Sequence, residues 1–399
     1  MQRTRFLMIG GFLGAGKTTA LARLAHSYTE AGLRVGLVTN DQAHGLVDTF
    51  ALKAQGFQVG EVAGACFCCQ FNELVDALGS LSVDQQPDVV LTEPVGSCTD
   101  LLATVIEPLR HLHGDRYELG PLTVLCKPEH GQRILGKSML AADQGQTERG
   151  QTERGRTEQG RRGGFSPQAA YIFTKQLEEA QLICLNKVDK LSESERDELL
   201  GQLRYQFPGK RLLALSSLTG EGYEQLVHAL AETPSPSQIA LTIDYDTYAQ
   251  GEAELGWLNA TVELTACDSK TPPTSWDLDA CLQQLANGLR DSLLQSRLEP
   301  GHVKLLVSSG SHVAMAHWVA SHEPVEFSLR SEAHVTDAQL LINARVAGDP
   351  DVLTQIVQQL LASWARSCQL VCTISHLEHL RPGRPVPVHR WGGEGTVSG

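Results

Sequence analysis

The first half of the chain alternates short apolar runs with stretches that carry the apolar spacing of amphipathic helices. The apolar runs predict buried strands at Phe6–Ile9, Arg34–Thr39, Pro87–Thr92, Pro121–Cys126, Gln181–Leu185 and Arg211–Leu215. Helical spacing occurs between most of them, as at Thr18–Ala31, Asn72–Leu81 and Glu193–Tyr205. Buried strands that alternate with helices are typical of a mainly parallel sheet covered on both faces. The pattern predicts an α/β domain over residues 1–232.

After residue 243 the order of the elements changes. Strand-like runs follow one another at Leu258–Thr265, Val303–Ser308, Val325–Leu329, Gln339–Val346 and Leu370–Ser375. Two stretches have helical spacing, Asp277–Gln295 and Val352–Arg366, and the second is preceded by the helix-starting pair Asp349-Pro350. Adjacent strands beside two helices indicate an antiparallel sheet with helices on one face. We therefore expect a smaller α+β domain over residues 244–390.

Three segments lack both patterns. Residues 144–164 repeat Gln-Thr-Glu-Arg-Gly with no apolar side chain to bury, so we expect a disordered low-complexity insertion. Residues 233–243 contain Pro234 and Pro236 and are interpreted as a linker between the domains. The tail after Pro385 is rich in proline and glycine, and we expect it to fray, with residues 391–399 flexible.

Composition and charge narrow the function classes. Lys and Arg number 33 against 46 Asp and Glu, which gives a net charge of −13. Nucleic-acid coats and binders of anionic membranes need a basic footprint, so we expect neither partner. No uninterrupted apolar run reaches the roughly 18 residues of a membrane span. The residues before Gly11 are interpreted as a strand rather than a signal peptide, and a cytoplasmic setting is expected.

Residues 11–18 read Gly-Phe-Leu-Gly-Ala-Gly-Lys-Thr and fit the phosphate-binding loop pattern between a predicted strand and a predicted helix. Glycines let backbone N–H groups wrap a phosphate chain, and the helix N-terminus adds partial positive charge. Lys17 is expected to reach the β- and γ-phosphates, and the Thr18 hydroxyl to ligate Mg²⁺. The expected phosphate-binding residues are Gly11, Gly14, Ala15, Gly16, Lys17, Thr18 and Thr19.

A guanine-binding pattern follows two later strands. Asn186-Lys187-Val188-Asp189 comes directly after one of them, and Ser216 opens a Ser-Ser-Leu-Thr-Gly loop after the next. The Asp189 carboxylate can accept from both the ring N–H and the exocyclic amine of guanine, and adenine offers no matching pair of donors. We therefore predict GTP or GDP as the nucleotide, with its base contacted by Asn186, Lys187, Asp189 and Ser216.

Two acidic positions follow strands in the order expected of switch segments. Glu93 ends a strand and can hold Mg²⁺ directly or through water, while Gly96 can offer its N–H to a γ-phosphate. Asp41 follows another strand end at Asn40. It either faces the metal or the attacking water, or serves as a turn or helix cap. Together with Lys17, Asp41 and Glu93 are the candidate catalytic residues.

Three cysteines, Cys66, Cys68 and Cys69, lie within four residues of one another. Thiolates are soft ligands that suit Zn²⁺ and can take Co²⁺, Ni²⁺ or Cu⁺. Three sulfurs on one turn can face a single ion and leave a fourth position open, which suits transfer of the metal better than a closed structural site. The alternative is that these cysteines are small buried apolar side chains.

Four motifs together resemble the CobW family of P-loop GTPases. They are Gly-Gly-Phe-Leu-Gly-Ala-Gly-Lys-Thr-Thr at residues 10–19, Cys-Phe-Cys-Cys at 66–69, Glu-Pro-Val-Gly at 93–96 and Asn-Lys-Val-Asp at 186–189. The resemblance implies a P-loop NTPase domain followed by a CobW-type C-terminal domain, which here ends in Arg-Pro-Gly-Arg-Pro at 381–385. The family is related to the GTPases that insert nickel into hydrogenase and urease.

The resemblance also implies a function. The family couples GTP binding and slow hydrolysis to delivery of Zn²⁺ or Co²⁺ to a client protein or to cobalamin assembly. Two motifs depart from the family: Asn-Asp stands at residues 40–41 where Asn-Glu is usual, and Cys-Lys-Pro at 126–128 where Val-Asp-Ala is usual. The sequence thus predicts a GTP-dependent metallochaperone. Its rivals are a regulatory GTPase with a purely structural cysteine site and a P-loop kinase.

Overall fold

The computed structural model describes residues 3–40, 47–81, 86–132, 166–234, 241–267 and 274–391. Contacts divide the chain into two compact units. The first comprises Met1–Val35, Gln86–Gly251 and Val386–Gly399, and the second Gly36–Gln85 and Glu252–Pro385. The predicted low-complexity insertion, Asp41 and residues 392–399 lie outside the described residues. The domain boundaries at residues 232 and 244 stay predictions.

The strands and helices are numbered in chain order. The strands are β1 (Thr4–Gly11), β2 (Val35–Asn40), β3 (Gln58–Val62), β4 (Val89–Glu93), β5 (Tyr117–Leu119), β6 (Thr123–Cys126), β7 (Leu182–Leu185), β8 (Arg211–Ala214), β9 (Leu255–Ala266), β10 (Trp276–Asp277), β11 (Glu299–Ser309), β12 (His312–Trp318), β13 (Glu326–Leu329), β14 (His334–Val335), β15 (Asp337–Ala347) and β16 (Leu370–Leu380). The helices are α1 (Lys17–Glu30), α2 (Val47–Ala54), α3 (Phe71–Ser80), α4 (Glu107–His113), α5 (Pro167–Glu179), α6 (Glu193–Gln206), α7 (Tyr223–Ala231), α8 (Tyr245–Ala253), α9 (Leu278–Gln295) and α10 (Pro350–Ser367).

In the first unit the strands form a parallel sheet in the order β4-β1-β6-β7-β8, and β5 also pairs with β1. Its central strands are buried throughout, as expected of a sheet covered on both faces. Helix α1 turns Leu21 and Leu24 inward, and α5 contributes Phe173 and Leu177 to the core beside β6 and β7. The phosphate loop follows β1 at the carboxyl edge of this sheet, where ligands of such folds bind.

In the second unit an antiparallel sheet has the order β13-β12-β11-β15-β9-β16. Alternate residues of its strands, such as Leu305 of β11 and Ile342 of β15, join a core with α9 and α10. The residues between them, such as Leu306 and Leu341, therefore face the opposite side. The same unit contains β2 and β3, which pair in parallel with each other.

The predicted elements correspond to observed ones, with ends that shift by a few residues. The α/β class, with an additional antiparallel sheet and two long helices, is confirmed. Ten of the described elements were not predicted: β3, β5, β10, β12, β14, α2, α4, α5, α7 and α8. Within the residues that the structure describes, no helix combines the length and apolar character needed to cross a membrane.

The expectation of a frayed tail is wrong for residues 386–391. The Arg390 Nε donates to Asp100 Oδ2 at 2.7 Å, and the Trp391 backbone N–H donates to the Ala103 carbonyl at 2.8 Å. The Trp391 ring also stacks on His111, with 5.4 Å between the ring centroids. Specific side-chain partners within the first unit hold this segment, and proline and glycine content gives no signal for them.

Candidate nucleotide and metal sites

The phosphate loop has the backbone that its glycines allow. Gly11, Gly14 and Gly16 have φ angles of 138°, 72° and 93°, in the left-handed region where side chains are disfavoured. A Cβ atom on Gly11 would lie 2.5 Å from the Leu125 carbonyl oxygen, and one on Gly16 would lie 2.5 Å from Asn186 Nδ2. The loop therefore packs its backbone against neighbouring strands, and α1 begins directly after it at Lys17.

Lys17, Thr18 and Glu93 meet beside this loop. The Lys17 Nζ donates to the Gly11 carbonyl at 3.0 Å and lies 3.9 Å from Glu93 Oε1. The Thr18 hydroxyl donates to the same Glu93 oxygen at 3.3 Å. Octahedral Mg²⁺ holds neighbouring oxygen ligands about 3 Å apart, so this hydroxyl and carboxylate pair fits the ion. Thr19, one position on, is exposed.

The segment after Glu93 lies against the phosphate loop. A Cβ atom on Gly96 would approach Leu13 Cδ2 to 2.8 Å and Lys17 Nζ to 3.0 Å, so only glycine fits there without displacing neighbours. Gln176 of α5 donates from Nε2 to the carbonyls of Gly96 at 3.0 Å and Cys98 at 2.8 Å. This buried amide therefore fixes the backbone of the segment from Gly96 to Cys98.

Asn186 connects the two predicted base loops to the phosphate loop. Its Nδ2 donates to the Ala15 carbonyl at 2.7 Å, and its Oδ1 accepts from the backbone N–H and hydroxyl of Ser217 at 2.9 and 3.0 Å. The side chain is fully buried. Asn186 is therefore placed to position these loops, and its amide hydrogen bonds are directed within the protein.

Asp189 is exposed, and Ser216 donates a close hydrogen bond from its hydroxyl to Asp189 Oδ1. That bond orients the carboxylate, whose two oxygens can each accept one of the two hydrogen bonds that a guanine edge donates. Lys187 precedes it with φ 61°, a left-handed conformation that turns the chain sharply after β7. Arg23 of α1 donates to the carbonyls of Ser217 and Leu218, which ties the second base loop to the first helix.

In the second unit the three cysteines of the loop before α3 converge. Their sulfur atoms lie 2.9 Å (Cys66 to Cys68), 3.3 Å (Cys66 to Cys69) and 3.8 Å (Cys68 to Cys69) apart. Cys66 and Cys68 are buried, and Cys69 is half-buried. Among the residues that the structure describes, this is the group of three or more Cys, His, Asp or Glu side chains whose geometry suits a metal ion.

Asn40 at the end of β2 holds the cysteine loop. Its Nδ2 donates to the carbonyls of Val62 at 2.9 Å and Ala65 at 2.8 Å, and its Oδ1 accepts from the Phe67 N–H at 2.9 Å. These three bonds surround the position of Cys66. Because the amide is buried, moving it would leave several backbone groups without partners.

Residues 5–119 match the model of the family described as CobW/HypB/UreG, nucleotide-binding domain. The matched span includes the phosphate loop, the three cysteines and the Glu93 to Gly96 segment. The base loops at Asn186 and Ser216 lie beyond it, so their interpretation rests on their own geometry.

Two curated proteins are similar to this chain. The zinc chaperone YeiR of Escherichia coli (strain K12) is 30% identical over 148 residues, which cover 35% of this chain and 44% of YeiR. Zinc-regulated GTPase metalloprotein activator 1 of Dictyostelium discoideum is 25% identical over 236 residues, which cover 52% of this chain and 44% of that protein. The chain thus spans less than half the length of these relatives.

Solved structures give weaker similarities. Zn(II)-bound YjiA GTPase from E. coli has a TM-score of 0.35 at 14% identity and covers 90% of this chain and 99% of its own. HypB from Helicobacter pylori in complex with nickel has a TM-score of 0.38 at 14% identity and covers 59% of this chain and 92% of its own. At these TM-scores neither similarity carries an argument.

Two residues that position the candidate sites were not identified in that role from the sequence. Asn40 was noted only as the start of a switch loop, and Gln176 belongs to a helix that was not predicted. The sequence signal for Gln176 is its helical spacing from Ile172 and Phe173, which places this amide on an apolar helix face. Asp41, the residue predicted to face the metal or the attacking water, lies outside the described residues.

Proposed function

We propose that the protein is a GTP-binding, slowly GTP-hydrolysing metallochaperone. It binds a transition metal at Cys66, Cys68 and Cys69 and delivers it to a metal-requiring client protein or to corrinoid assembly. The observation that carries the proposal is the convergence of three thiols within 4.8 Å of one another in a chain that also carries a phosphate loop. The metal is Zn²⁺ or Co²⁺, and either ion would bind at the same three cysteines.

The cysteine geometry fits zinc. A tetrahedral zinc ion about 2.3 Å from each sulfur keeps the sulfurs about 3.8 Å apart. The observed separations of 2.9 to 3.8 Å reach that value with movements of about 1 Å or less. The half-buried Cys69 gives access from outside, so a fourth ligand from water or a client can complete the site. Both curated relatives have zinc in their names, which favours zinc over cobalt.

The nucleotide half of the proposal rests on the first unit. Lys17 and the phosphate-loop N–H groups bind the phosphates, Thr18 and Glu93 hold Mg²⁺, and Asp189 selects guanine. Held by Thr18 and Glu93, Mg²⁺ would supply positive charge beside the phosphates during hydrolysis. Neither an arginine finger nor a glutamine that orients water is assigned, so we expect slow turnover that a partner stimulates.

Nucleotide state is coupled to metal affinity in this proposal. Asn40 holds the cysteine loop and directly precedes Asp41 in the predicted first switch segment. Ordering of that segment by GTP and Mg²⁺ shifts Asn40, and the shift changes the sulfur geometry. Hydrolysis reverses the change and releases the metal. By linkage, the metal alters nucleotide affinity by the same factor.

The test is a competition titration of Zn²⁺ and Co²⁺ against a chromophoric chelator, with Mg²⁺ and a non-hydrolysable GTP analogue or with GDP. We expect one ion per chain, an affinity that differs several-fold between nucleotide states, and loss of binding in the Cys66→Ser/Cys68→Ser/Cys69→Ser variant. Cys372→Ser, a half-buried cysteine of β16, is the matched control and should bind like the parent.

Two results would count against the proposal. Equal affinity in both nucleotide states would favour a regulatory GTPase with a structural cysteine site. Unchanged binding in the triple variant would remove the cysteines from the account.

A further inference from the structure

Helix α2 packs on the face of the antiparallel sheet opposite α9 and α10. Val47 and Ala51 of α2 are buried against Leu306 of β11, Met315 of β12 and Leu341 of β15. Each of these sheet residues lies between neighbours that point to the other face, such as Leu305 and Val307 around Leu306. The sheet is therefore apolar on both sides at this place, and α2 covers the second side.

Two polar contacts fix the start of α2 on the sheet. The Val47 backbone N–H, at the first residue of the helix, donates to Asn343 Oδ1 at 2.8 Å. The Lys304 ammonium group makes a close ion pair with the Asp48 carboxylate. Lys304 of β11 and Asn343 of β15 are opposite one another in the sheet register. A cross-strand pair thus binds the helix terminus, and Asn343 accepts from the first N–H of α2 as a capping group.

The same helix is bonded to the strand that holds the cysteine loop. The hydroxyls of Thr49 in α2 and Thr39 in β2 are 2.7 Å apart, and both side chains are buried. Asn40 follows Thr39 and bonds the backbone on both sides of Cys66. Contacts therefore run without interruption from the sheet, through α2 and β2, to the metal loop, all within the second unit.

We propose that the antiparallel sheet sets the metal affinity of the cysteine loop through α2, with Asn343 and Lys304 as positioning residues. The inference rests on the proposed function and adds a role for the C-terminal part of the chain. Because Asn343 and the Asp48–Lys304 pair hold the first turn of α2, they fix Thr49, and Thr49 fixes the Thr39–Asn40 strand end. Loosening the first turn should broaden the positions of Cys66 and Cys68 and weaken zinc binding.

The test compares variants in the full chain by the same zinc competition titration. Asn343→Ala and Lys304→Asp should each weaken zinc binding about five- to tenfold in at least one nucleotide state. The exchange variant Asp48→Lys/Lys304→Asp should regain most of the parent affinity. Lys53→Ala, an exposed lysine in the last turn of α2, is the control and should leave it unchanged.

The charge exchange separates loss of the Asp48–Lys304 pair from damage by the substituted side chains, because only an effect that runs through the pair is rescued by it. The affinity for GDP, measured in parallel, should change less than twofold in every variant. Suppose that the zinc affinity of the parent depends on the nucleotide state. If Asn343→Ala and Lys304→Asp then bind zinc with the same affinities as the parent, the inference fails and the proposed function stands. If the parent binds no zinc, both fail.

Discussion

Glu179, the last residue of α5, places a carboxyl group in the core beneath the segment that follows Gly96. Its Oε1 accepts from the Thr99 hydroxyl at 3.1 Å, and its Oε2 accepts from the Leu102 N–H at 3.2 Å. Burial, with the charge of Asp100 beside it, raises the pKa of Glu179 to about 8, although the two hydrogen bonds oppose the shift. Lys210 is the nearby cation. The folded protein therefore holds Glu179 protonated at neutral pH.

This raised pKa predicts a stability that depends on pH. The folded pKa lies above the unfolded value, so the contribution of Glu179 is full at low pH and is lost as pH rises toward 8. Glu179→Gln keeps an uncharged side chain at every pH. Urea unfolding should therefore show that the free energy of unfolding of the variant rises relative to that of the parent by roughly 3 kcal/mol between pH 5 and pH 8.

The matched control is Glu178→Gln, at the half-buried neighbouring position. Its difference from the parent should stay flat over the same pH range. A flat difference for Glu179→Gln as well would contradict a protonated buried carboxyl.

At the scale of elements, the tail segment of residues 386–391 acts as a strap on the segment after Gly96. Arg390 bonds Asp100, whose φ of 66° is unusual for a non-glycine residue, and also donates to the Leu241 carbonyl at 2.7 Å. Burial raises the pKa of Asp100, and hydrogen bonds from Arg390 and Tyr245 offset part of the shift. The strap thus compensates a buried charge in a strained turn.

Removal of the Arg390 guanidinium should loosen the turn at Asp100. Arg390→Ala leaves the Asp100 carboxylate buried beside Tyr245 alone, and we expect a loss of roughly 2 kcal/mol in the free energy of unfolding. Hydrogen exchange should quicken at residues 97–106. The double variant Asp100→Asn/Arg390→Ala should recover part of the loss, because no charge is then left buried. Exposed Arg366→Ala is the control, and parent-like exchange in Arg390→Ala would contradict the strap.

The elements that the sequence predicts well are those with a continuous local signal. β1, β4 and β7 each contain a run of three or four buried apolar residues, and α9 and α10 carry long apolar stripes behind Asp caps. β3 was not predicted because most of its residues are half-buried and it lacks a continuous apolar run. α2 escaped because it has eight residues and because the sheet strands that cover it are more than 250 positions away along the chain.

At the scale of the whole molecule, the residues of the candidate sites also divide into those with a local sequence signal and those without one. The phosphate loop, the cysteine motif and the Asp189 loop are short motifs whose residues are neighbours in sequence, so the sequence alone predicts them. Asn40, Gln176 and Asn343 position those motifs from a distance, and only the folded chain brings each to its partner. Contacts group residues 36–85 with 252–385, a pairing for which no local pattern exists.

The central claim is a coupling between the nucleotide and the metal, and reciprocity gives its most direct test. The affinities for a fluorescent GTP analogue and for GDP would be measured in Mg²⁺ buffer with and without one equivalent of Zn²⁺, in the parent and in the Cys66→Ser/Cys68→Ser/Cys69→Ser variant. We predict that zinc changes the ratio of the GTP-analogue affinity to the GDP affinity in the parent. The size of that change should equal the factor by which zinc affinity differs between the two nucleotide states. In the triple variant zinc should leave the ratio unchanged. A ratio that zinc leaves unchanged in the parent would contradict the account.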